Sequence, residues 1–132
     1  MYEKFGQFID GKWSHSSDKS TYEVINPANE EVIGHASKAT KEDVDRALKS
    51  AQKGLEVWKK TPPWQRSYII RRIADKMREK QDVLAKWMTL EVGKPFAEAK
   101  GEINGAADIF EWNAEETKRI YGQTVESRFE DT

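Results

Sequence analysis

The sequence predicts a mostly α-helical protein that begins with short β-hairpins. Turn-forming dipeptides separate short apolar stretches in residues 1–39, a pattern typical of hairpins. Residues 40–122 instead carry apolar side chains at steps of three and four, which is typical of amphipathic helices. No strand–helix–strand alternation is present, so the chain does not itself contain a dinucleotide-binding fold.

Two hairpins are predicted in the N-terminal segment. Phe5–Trp13 is expected to fold about Asp10-Gly11, a dipeptide that readily takes the positive φ angles of a type I′ turn. Thr21–Ile25 and Glu31–His35 are the strands of the second pair, joined by a turn that contains Asn and Pro. Isolated hairpins are marginal in water, so we expect another surface to cover these strands.

Four helices are predicted after the hairpins. The first begins at Thr40, whose hydroxyl can cap it, and Asp43 three positions later completes a capping signature. Gly93 can close the third helix in the left-handed conformation, and Pro95 suits the first turn of the fourth. The expected spans are Thr40–Trp58, Trp64–Lys80, Gln81–Val92 and Pro95–Tyr121.

The fourth helix is predicted to be long, roughly 40 Å at about 1.5 Å per residue. Gly101 and Gly105 lie in its interior, where each Gly costs on the order of 1 kcal/mol relative to Ala. These glycines suggest that another backbone or an ion comes close. Gly122 is expected to end the helix, and Gln123–Thr132 to be extended.

Composition excludes several classes of function. The 22 basic and 23 acidic residues give a net charge of −1 and are interspersed, so nucleic acid is not an expected partner. The absence of cysteine excludes disulfides, a thiolate zinc site and a cysteine nucleophile within this sequence. Neither a signal peptide nor an apolar stretch near the ~20 residues of a membrane span is visible, so we expect a cytoplasmic protein without membrane contact.

The balance of polar and apolar residues leaves two interpretations open. Apolar residues make up 37% and charged residues 34%, which is polar for a compact domain. A helical protein with wide solvated faces fits this composition. A piece of a larger protein whose partner surface is missing fits it equally well.

Candidate chemical groups are sparse. Gly93-Lys94 does not form a phosphate-binding loop, because the upstream glycine and the following Ser or Thr are absent. His15 and His35 lack the spacing and the partners of a zinc site or a catalytic triad. Among the acidic residues Glu102 is singled out, since it lies beside Gly101 near the apolar face, although a structural role is favoured. The five tryptophans are expected to anchor core or domain contacts: Trp13, Trp58, Trp64, Trp87 and Trp112.

Six segments in order resemble the N-terminal part of the NAD(P)-dependent aldehyde dehydrogenases. The resemblance extends over nearly the whole chain, and the wording of the last segment is similar to the succinate-semialdehyde dehydrogenase subgroup. The segments are Phe8–Trp13, Val24–Ala28, Thr40–Ala51, Arg66–Ala74, Thr89–Pro95 and Glu111–Gly122.

The resemblance implies a place in a larger α/β fold. The hairpins of residues 1–39 and the four helices of residues 40–122 would flank the Rossmann-like sheet of the cofactor-binding domain. Residues 123–132 would begin a β arm used for oligomerisation. Implied partners are the remainder of an aldehyde dehydrogenase chain and further copies of it in a homo-oligomer.

The resemblance also implies a reaction. The family oxidises an aldehyde, here succinate semialdehyde, to the acid with NAD or NADP, through a cysteine and a glutamate base. All these residues and the cofactor contacts lie beyond Thr132 in the family's order, so the chain is expected to hold no catalytic or cofactor-binding residue and to be inactive alone.

One ligand site is implied within the chain. Some family members bind Na⁺ or K⁺ through backbone carbonyls before an Asn-Pro turn and an acidic residue early in the long helix. Val24, Ile25 and Glu102 match these positions, with Glu in place of the commoner Asp. Hard oxygen ligands suit such a cation.

Three hypotheses follow for the function of the chain. It is the N-terminal scaffold of a longer aldehyde dehydrogenase, a stand-alone helical protein-interaction module, or one half of a split enzyme. The first is preferred because residues 123–132 enter an expected strand.

Overall fold

The computed structural model describes residues 6–128. Two antiparallel hairpins precede four α-helices and a short 3-10 turn, so the prediction of a mostly helical chain with N-terminal hairpins is confirmed. The elements are β1 (Gln7–Ile9), β2 (Lys12–Ser14), β3 (Thr21–Ile25), β4 (Val32–Ser37), α1 (Lys41–Trp58), α2 (Pro63–Glu79), α3 (Gln81–Val92), α4 (Phe96–Glu116) and the 3-10 turn Thr117–Arg119.

The first hairpin pairs β1 with β2 around the predicted turn. Asp10 and Gly11 have φ angles of 54° and 75°, which confirms the type I′ geometry. Phe8 lies opposite Trp13, and the two ring centres are 5.1 Å apart. The predicted start of this hairpin, Phe5, lies outside the described residues.

The second hairpin pairs β3 with β4 and contains a change of register. Val24 lies opposite Gly34, but Ile25 lies opposite Val32, so β4 has one extra residue at this step. The predicted strand Glu31–His35 is corrected to Val32–Ser37. Glu31 lies between the turn and β4, and its carbonyl accepts a 2.9 Å hydrogen bond from the amide of Asn26.

The helices α2, α3 and α4 form a helical layer. In this layer α4 is central and packs against both α2 and α3. Ile103 is the one large apolar side chain among the buried hydrophobic residues of the described chain. The rest of this interior consists of alanines, which allow the helices to approach closely but remove little apolar area from water. These buried residues are Ala74, Ala85, Ala99, Ile103, Ala107 and Ala114.

The bounds of α2 and α4 differ from the prediction at both ends. α2 spans Pro63–Glu79 instead of Trp64–Lys80, because Pro63 occupies the first helical position that its fixed φ favours. The predicted helix Pro95–Tyr121 is longer than α4, whose 21 residues extend about 31 Å.

The early end of α4 has a local cause. The side-chain amide of Asn113 donates to the carbonyl of Ile109, and the hydroxyl of Thr117 donates to the carbonyl of Asn113, each at 2.8 Å. Such side-chain bonds compete with the helical pattern, and the chain tightens into the 3-10 turn. Gly122 therefore does not end the helix. Residues 120–127 form neither helix nor strand, and residues 129–132 of the predicted arm lie outside the described part.

Within residues 6–128, no helix combines the length and the apolar character that crossing a membrane requires.

Candidate functional site

The joint between α3 and α4 is the candidate site, because it contains Lys94 and leads to Glu102. Gly93 ends α3 with φ of 76°, and its amide donates to the carbonyl of Thr89 at 2.9 Å. Pro95 directly precedes α4. The predicted end of α3 at Gly93 is confirmed, whereas Pro95, predicted in the first turn of α4, lies one residue before it as the N-cap.

This joint lies against the turn that follows β3. A Cβ atom built on Gly93 would lie 3.0 Å from Cγ of Pro27, closer than nearly all real contacts of that kind. The contact connects the second hairpin to the helical layer. It also places the joint near the end of β3, where Val24 and Ile25 were predicted to supply carbonyl ligands.

Glu102 is paired with a basic side chain. The ammonium of Lys94 contacts the Oε2 atom of Glu102, with 34% of the Lys94 side chain and 51% of the Glu102 side chain exposed. The hydrogen bond that Lys94 donates to Glu102 raises the pKa of Lys94, and the negative charges of Glu102 and Glu98 add to the effect. Glu102 was singled out from the sequence, whereas Lys94 was considered only for a phosphate-binding loop and for the helix joint, so its pairing with Glu102 was missed.

The predicted cation site stays a prediction. Val24 is partly buried and Ile25 is exposed, and the register of the hairpin shifts between them. No group of three or more His, Cys, Asp or Glu side chains in the described ranges could hold a metal ion. The predicted site differs from such a group, because it would consist of two backbone carbonyl oxygens and a single carboxylate.

The glycines inside α4 face open space in this chain. A Cβ atom on Gly101 or Gly105 would meet no described atom within 4 Å. The prediction that a backbone or an ion comes close to them is therefore not met by residues 6–128. Ile109 and Trp112 on the same helix are likewise exposed.

Asp43 forms the principal polar junction of the N-terminal half. Its side chain is 1% exposed and accepts hydrogen bonds from the amide of Thr40 at 2.9 Å and of Ser17 at 3.2 Å. Gln7 donates to it at 3.4 Å and Arg46 at 2.6 Å. The capping role of Thr40 and Asp43 is confirmed, whereas Ser17 and Gln7 were missed because they are distant in sequence.

These donors favour the charged carboxylate of Asp43. The hydrogen bond from the Thr40 amide, with those from Arg46 and Ser17, holds the pKa of Asp43 well below its usual range. Asp43 thus joins β1, the loop after β2 and the start of α1 through an ionised group.

A second carboxylate organises that loop and gives a pH-dependent prediction. The Ser16 hydroxyl donates to Asp18 at 2.5 Å and, with Ser20, lowers the pKa of Asp18 from 3.8 to about 2. Because the folded pKa is depressed, Asp18 stabilises the fold above pH ~4, and this contribution is lost as pH falls from ~4 toward ~2. We expect the difference in melting midpoint between wild type and Asp18→Asn to shrink over this window.

Circular dichroism melts at several pH values test the prediction for Asp18. Ser16→Ala removes the hydroxyl that donates to Asp18. In this background the difference in melting midpoint that Asp18→Asn makes should be smaller. A difference that stays constant from pH ~4 to ~2 would show that Asp18 does not contribute in this way.

Ion pairs connect α2 to α4. Arg71 donates to Glu111 at 2.5 Å and also contacts Glu115, while Arg78 lies 2.7 Å from both Asp108 and Glu111. Glu111 and Glu115 are partly exposed and Asp108 is mostly exposed, but all three are paired. These pairs were not predictable from the sequence, because the partners lie some 30 to 44 residues apart.

Removing Arg71 should have an effect that depends on salt. We expect Arg71→Met to lower the melting midpoint at about 0.05 M salt and to do so less at about 1 M, because salt screens half-exposed pairs. Arg72→Met is the control, since the Arg72 guanidinium lies 5.9 Å from the ring centre of Tyr68. Equal salt dependence in the two variants would contradict the assignment.

Large apolar side chains of the helices are exposed. Leu48 of α1 is 64% exposed, Ile73 of α2 is 41% and Trp112 of α4 is 70%. The predicted apolar face of α1 therefore has no cover among residues 6–128. Four of the tryptophans expected to anchor contacts are also exposed in this chain: Trp13, Trp58, Trp64 and Trp112.

An open apolar groove continues this surface along α2 and α3. Basic side chains lie among its apolar ones. It is lined by Tyr68, Ile69, Arg72, Ile73, Lys76, Met77, Lys80 and Leu84.

Sequence comparison relates the chain to enzymes that act on semialdehydes. The aldehyde dehydrogenase family matches residues 13–132. The glutarate-semialdehyde dehydrogenase of Pseudomonas putida is 47% identical over 118 residues, which make up 89% of this chain and 25% of that protein. The NADP(+) succinate-semialdehyde dehydrogenase of Escherichia coli is 43% identical over 117 residues, 89% of this chain and 24% of that protein.

Solved structures agree in fold. Betaine aldehyde dehydrogenase from Staphylococcus aureus, solved in complex with NAD+, superposes with a TM-score of 0.89 at 34% identity, over 96% of this chain and 25% of that one. An NADP-dependent enzyme from E. coli gives 0.89 at 40% identity, over 98% and 27%. The chain spans about a quarter of the length of the curated relatives it matches. It belongs to the aldehyde dehydrogenase family.

Proposed function

We propose that this chain is the N-terminal scaffold of an oxidoreductase that oxidises an aldehyde to the acid with NAD or NADP. Succinate semialdehyde is the proposed substrate, and the glutarate-semialdehyde relative extends the class to short aldehydes that carry a carboxylate. The observation that carries the proposal is the family match over residues 13–132 in a chain a quarter as long as its relatives.

The exposed apolar faces support a scaffold role. Leu48, Ile73 and Trp112 belong to three different helices, and large exposed apolar surfaces mark contacts with another protein surface. The remaining three quarters of an aldehyde dehydrogenase would supply that surface, including the Rossmann-like sheet. The open space around Gly101 and Gly105 would then admit a closely packed backbone.

The chemistry itself would come from that remainder. The reaction implied by the resemblance uses a cysteine thiolate, and the 132 residues contain no cysteine. This chain would contribute a rigid support for the catalytic part. Ion pairs hold α4 to α2, and packed alanines hold α4 to α3. Rigid support of this kind is what a catalytic constellation requires.

The proposal has finer parts. The cofactor is NAD or NADP, since one structural relative is described with NAD+ and another as NADP-dependent. We further propose a cytoplasmic homo-oligomer, with residues 123–132 leading into its arm. A site for Na⁺ or K⁺, formed by the backbone carbonyls of Val24 and Ile25 and the carboxylate of Glu102, is a further part of the proposal.

Assay of the complete gene product tests the activity. With succinate or glutarate semialdehyde we expect NADH or NADPH formation with kcat/KM at least about tenfold above that for acetaldehyde, because a site built to bind a polar group of its substrate rejects an analogue that lacks this group. The 132-residue chain alone is the matched control and should be inactive. Absence of dehydrogenase activity toward all three aldehydes would contradict the proposal.

The alternative, a stand-alone interaction module, is suggested by the same exposed apolar faces. The reading frame after Thr132 distinguishes it from the scaffold role. Continuation beyond Thr132 into further dehydrogenase sequence supports the scaffold role. An immediate stop codon would favour the module or one half of a split enzyme, and co-expression with the missing part would distinguish these two.

A further inference from the structure

We propose that the cleft between the first hairpin and α1 binds a small anion that carries two phosphate groups. The cleft has a volume of about 430 Å³, and none of its lining residues belongs to the α3–α4 joint or to the apolar groove of α2 and α3. The proposal concerns residues of this chain and is independent of the dehydrogenase activity proposed above.

Basic side chains from two separate elements line this cleft. Lys12 belongs to β2, whereas Arg46, Lys49 and Lys53 belong to α1. The three residues of α1 are spaced by three and four positions, so they lie on one face of the helix. Folding therefore gathers basic residues from distant parts of a sequence whose net charge is only −1.

The positive charge of the cleft is neutralised only in part. Arg46 lies 2.6 Å from the buried carboxylate of Asp43 and is paired with it. Lys12, Lys49 and Lys53 are exposed, and none of them forms an ion pair with a carboxylate in residues 6–128. Their ammonium groups therefore remain for a negatively charged ligand.

The chemistry of these groups favours phosphate over carboxylate. An ammonium group is a compact charge with three donors, and several of them suit an anion with many acceptor oxygens and more than one negative charge. The planar guanidinium of Arg46 would suit a carboxylate better, but it is already engaged by Asp43. The cleft volume is within the range of small-molecule sites, roughly 300–1,000 Å³, which leaves room for more than one phosphate group.

Uncharged groups complete the lining. Ser14 and Ser50 carry hydroxyls that can donate to phosphate oxygens, and Ser50 donates to Asp10 at a long 3.4 Å in this structure. The indole of Trp13, 55% exposed, lines the same cleft and offers a flat surface on which an aromatic base can stack. Inorganic pyrophosphate and a nucleoside diphosphate share the diphosphate group, and only the second would use Trp13.

Calorimetric titration of the complete gene product with pyrophosphate tests the proposal. We expect a binding event with Kd below about 1 mM at ~0.05 M salt, which Lys49→Gln combined with Lys53→Gln weakens at least about tenfold. An anion site elsewhere in the gene product contributes equally to wild type and variant, so the difference between them reports the cleft. Lys41→Gln combined with Lys60→Gln is the matched control, because both residues are exposed, the net charge changes equally and neither lines the cleft.

Asp10→Asn should change the affinity in the opposite direction. Asp10 is the one carboxylate among the described residues that line the cleft, and asparagine also tolerates the positive φ of this turn. Removing its negative charge should tighten pyrophosphate binding by about threefold or more. This variant decides the question if the double lysine variant does not fold.

Two further ligands define the class of anion. Citrate, which carries carboxylates alone, should bind the cleft at least about tenfold more weakly than pyrophosphate. ADP binding that is lost in both the lysine variant and Trp13→Leu assigns the site to a nucleotide, whereas ADP binding that is unaffected by Trp13→Leu assigns it to the diphosphate group alone. Pyrophosphate affinity that is equal in wild type, the lysine variant and Asp10→Asn, or citrate binding as tight as that of pyrophosphate, would overturn the proposal.

Discussion

Asp43→Asn is expected to lower the folding equilibrium constant of this chain more than tenfold and the melting midpoint by about 5–10 °C. Asp43 is buried, and the groups that contact its carboxylate are donors: the amides of Thr40 and Ser17, the side-chain amide of Gln7 and the guanidinium of Arg46. An asparagine in the same place keeps one acceptor oxygen and turns its NH₂ toward donors that it is unable to satisfy.

The loss should be concentrated where these partners meet. Breaking a buried, hydrogen-bonded charge leaves the surrounding donors unpaired, which costs more than the pair itself contributes. Because Asp43 joins β1, the loop after β2 and α1, we expect hydrogen exchange to quicken at the start of α1 and at Ser17.

Asp45→Asn is the matched control for Asp43→Asn. Asp45 lies in the same turn of α1 and is exposed, so its replacement should change the melting midpoint by no more than about 2 °C. Melts of the three proteins near neutral pH make the comparison. Equal midpoints for Asp43→Asn and Asp45→Asn would show that the buried carboxylate does not hold the junction.

Gly93→Ala is expected to destabilise the chain by about 2 kcal/mol or more. Its φ of 76° lies in the left-handed region, where a residue with a Cβ costs roughly 1–2 kcal/mol. In addition, the new methyl group would lie 3.0 Å from Cγ of Pro27, a ring with little freedom to move away. Both effects act at the same joint.

Gly101→Ala is the matched comparison, and it is expected to raise the free energy of unfolding instead of lowering it. A Cβ at Gly101 meets no described atom within 4 Å, and the residue lies inside α4. Alanine is the better helix former there by up to about 1 kcal/mol. Urea denaturation of both variants gives the two free energies of unfolding. If Gly93→Ala proved as stable as Gly101→Ala, the joint would not need glycine.

Local signals were read correctly from the sequence. Asp10-Gly11 specifies its turn because both residues tolerate positive φ, and Thr40 with Asp43 caps α1 within four residues. Gly93 ends α3 as predicted. Each of these signals is complete within a short stretch, so no knowledge of distant residues is needed.

Features that depend on distant partners were not predictable in the same way. The partners of Arg71 on α4 are 40 and 44 residues away, and many basic and acidic residues lie on both helices. The early end of α4 depends on Asn113 and Thr117, whose side chains could equally have pointed to solvent. The apolar periodicity of α1 identified its face but not the surface that covers it.

Radical footprinting with mass spectrometry tests the central claim most directly, because it reports the exposure of individual side chains. The claim is that the side chains of Leu48, Ile73 and Trp112 are exposed to solvent in this chain and are covered by the rest of an aldehyde dehydrogenase. Labelling should be compared in the isolated chain, at concentrations where it sediments as a monomer, and in the complete gene product. We expect these three side chains to be labelled several-fold more in the isolated chain, and equal labelling in the two proteins would contradict the account.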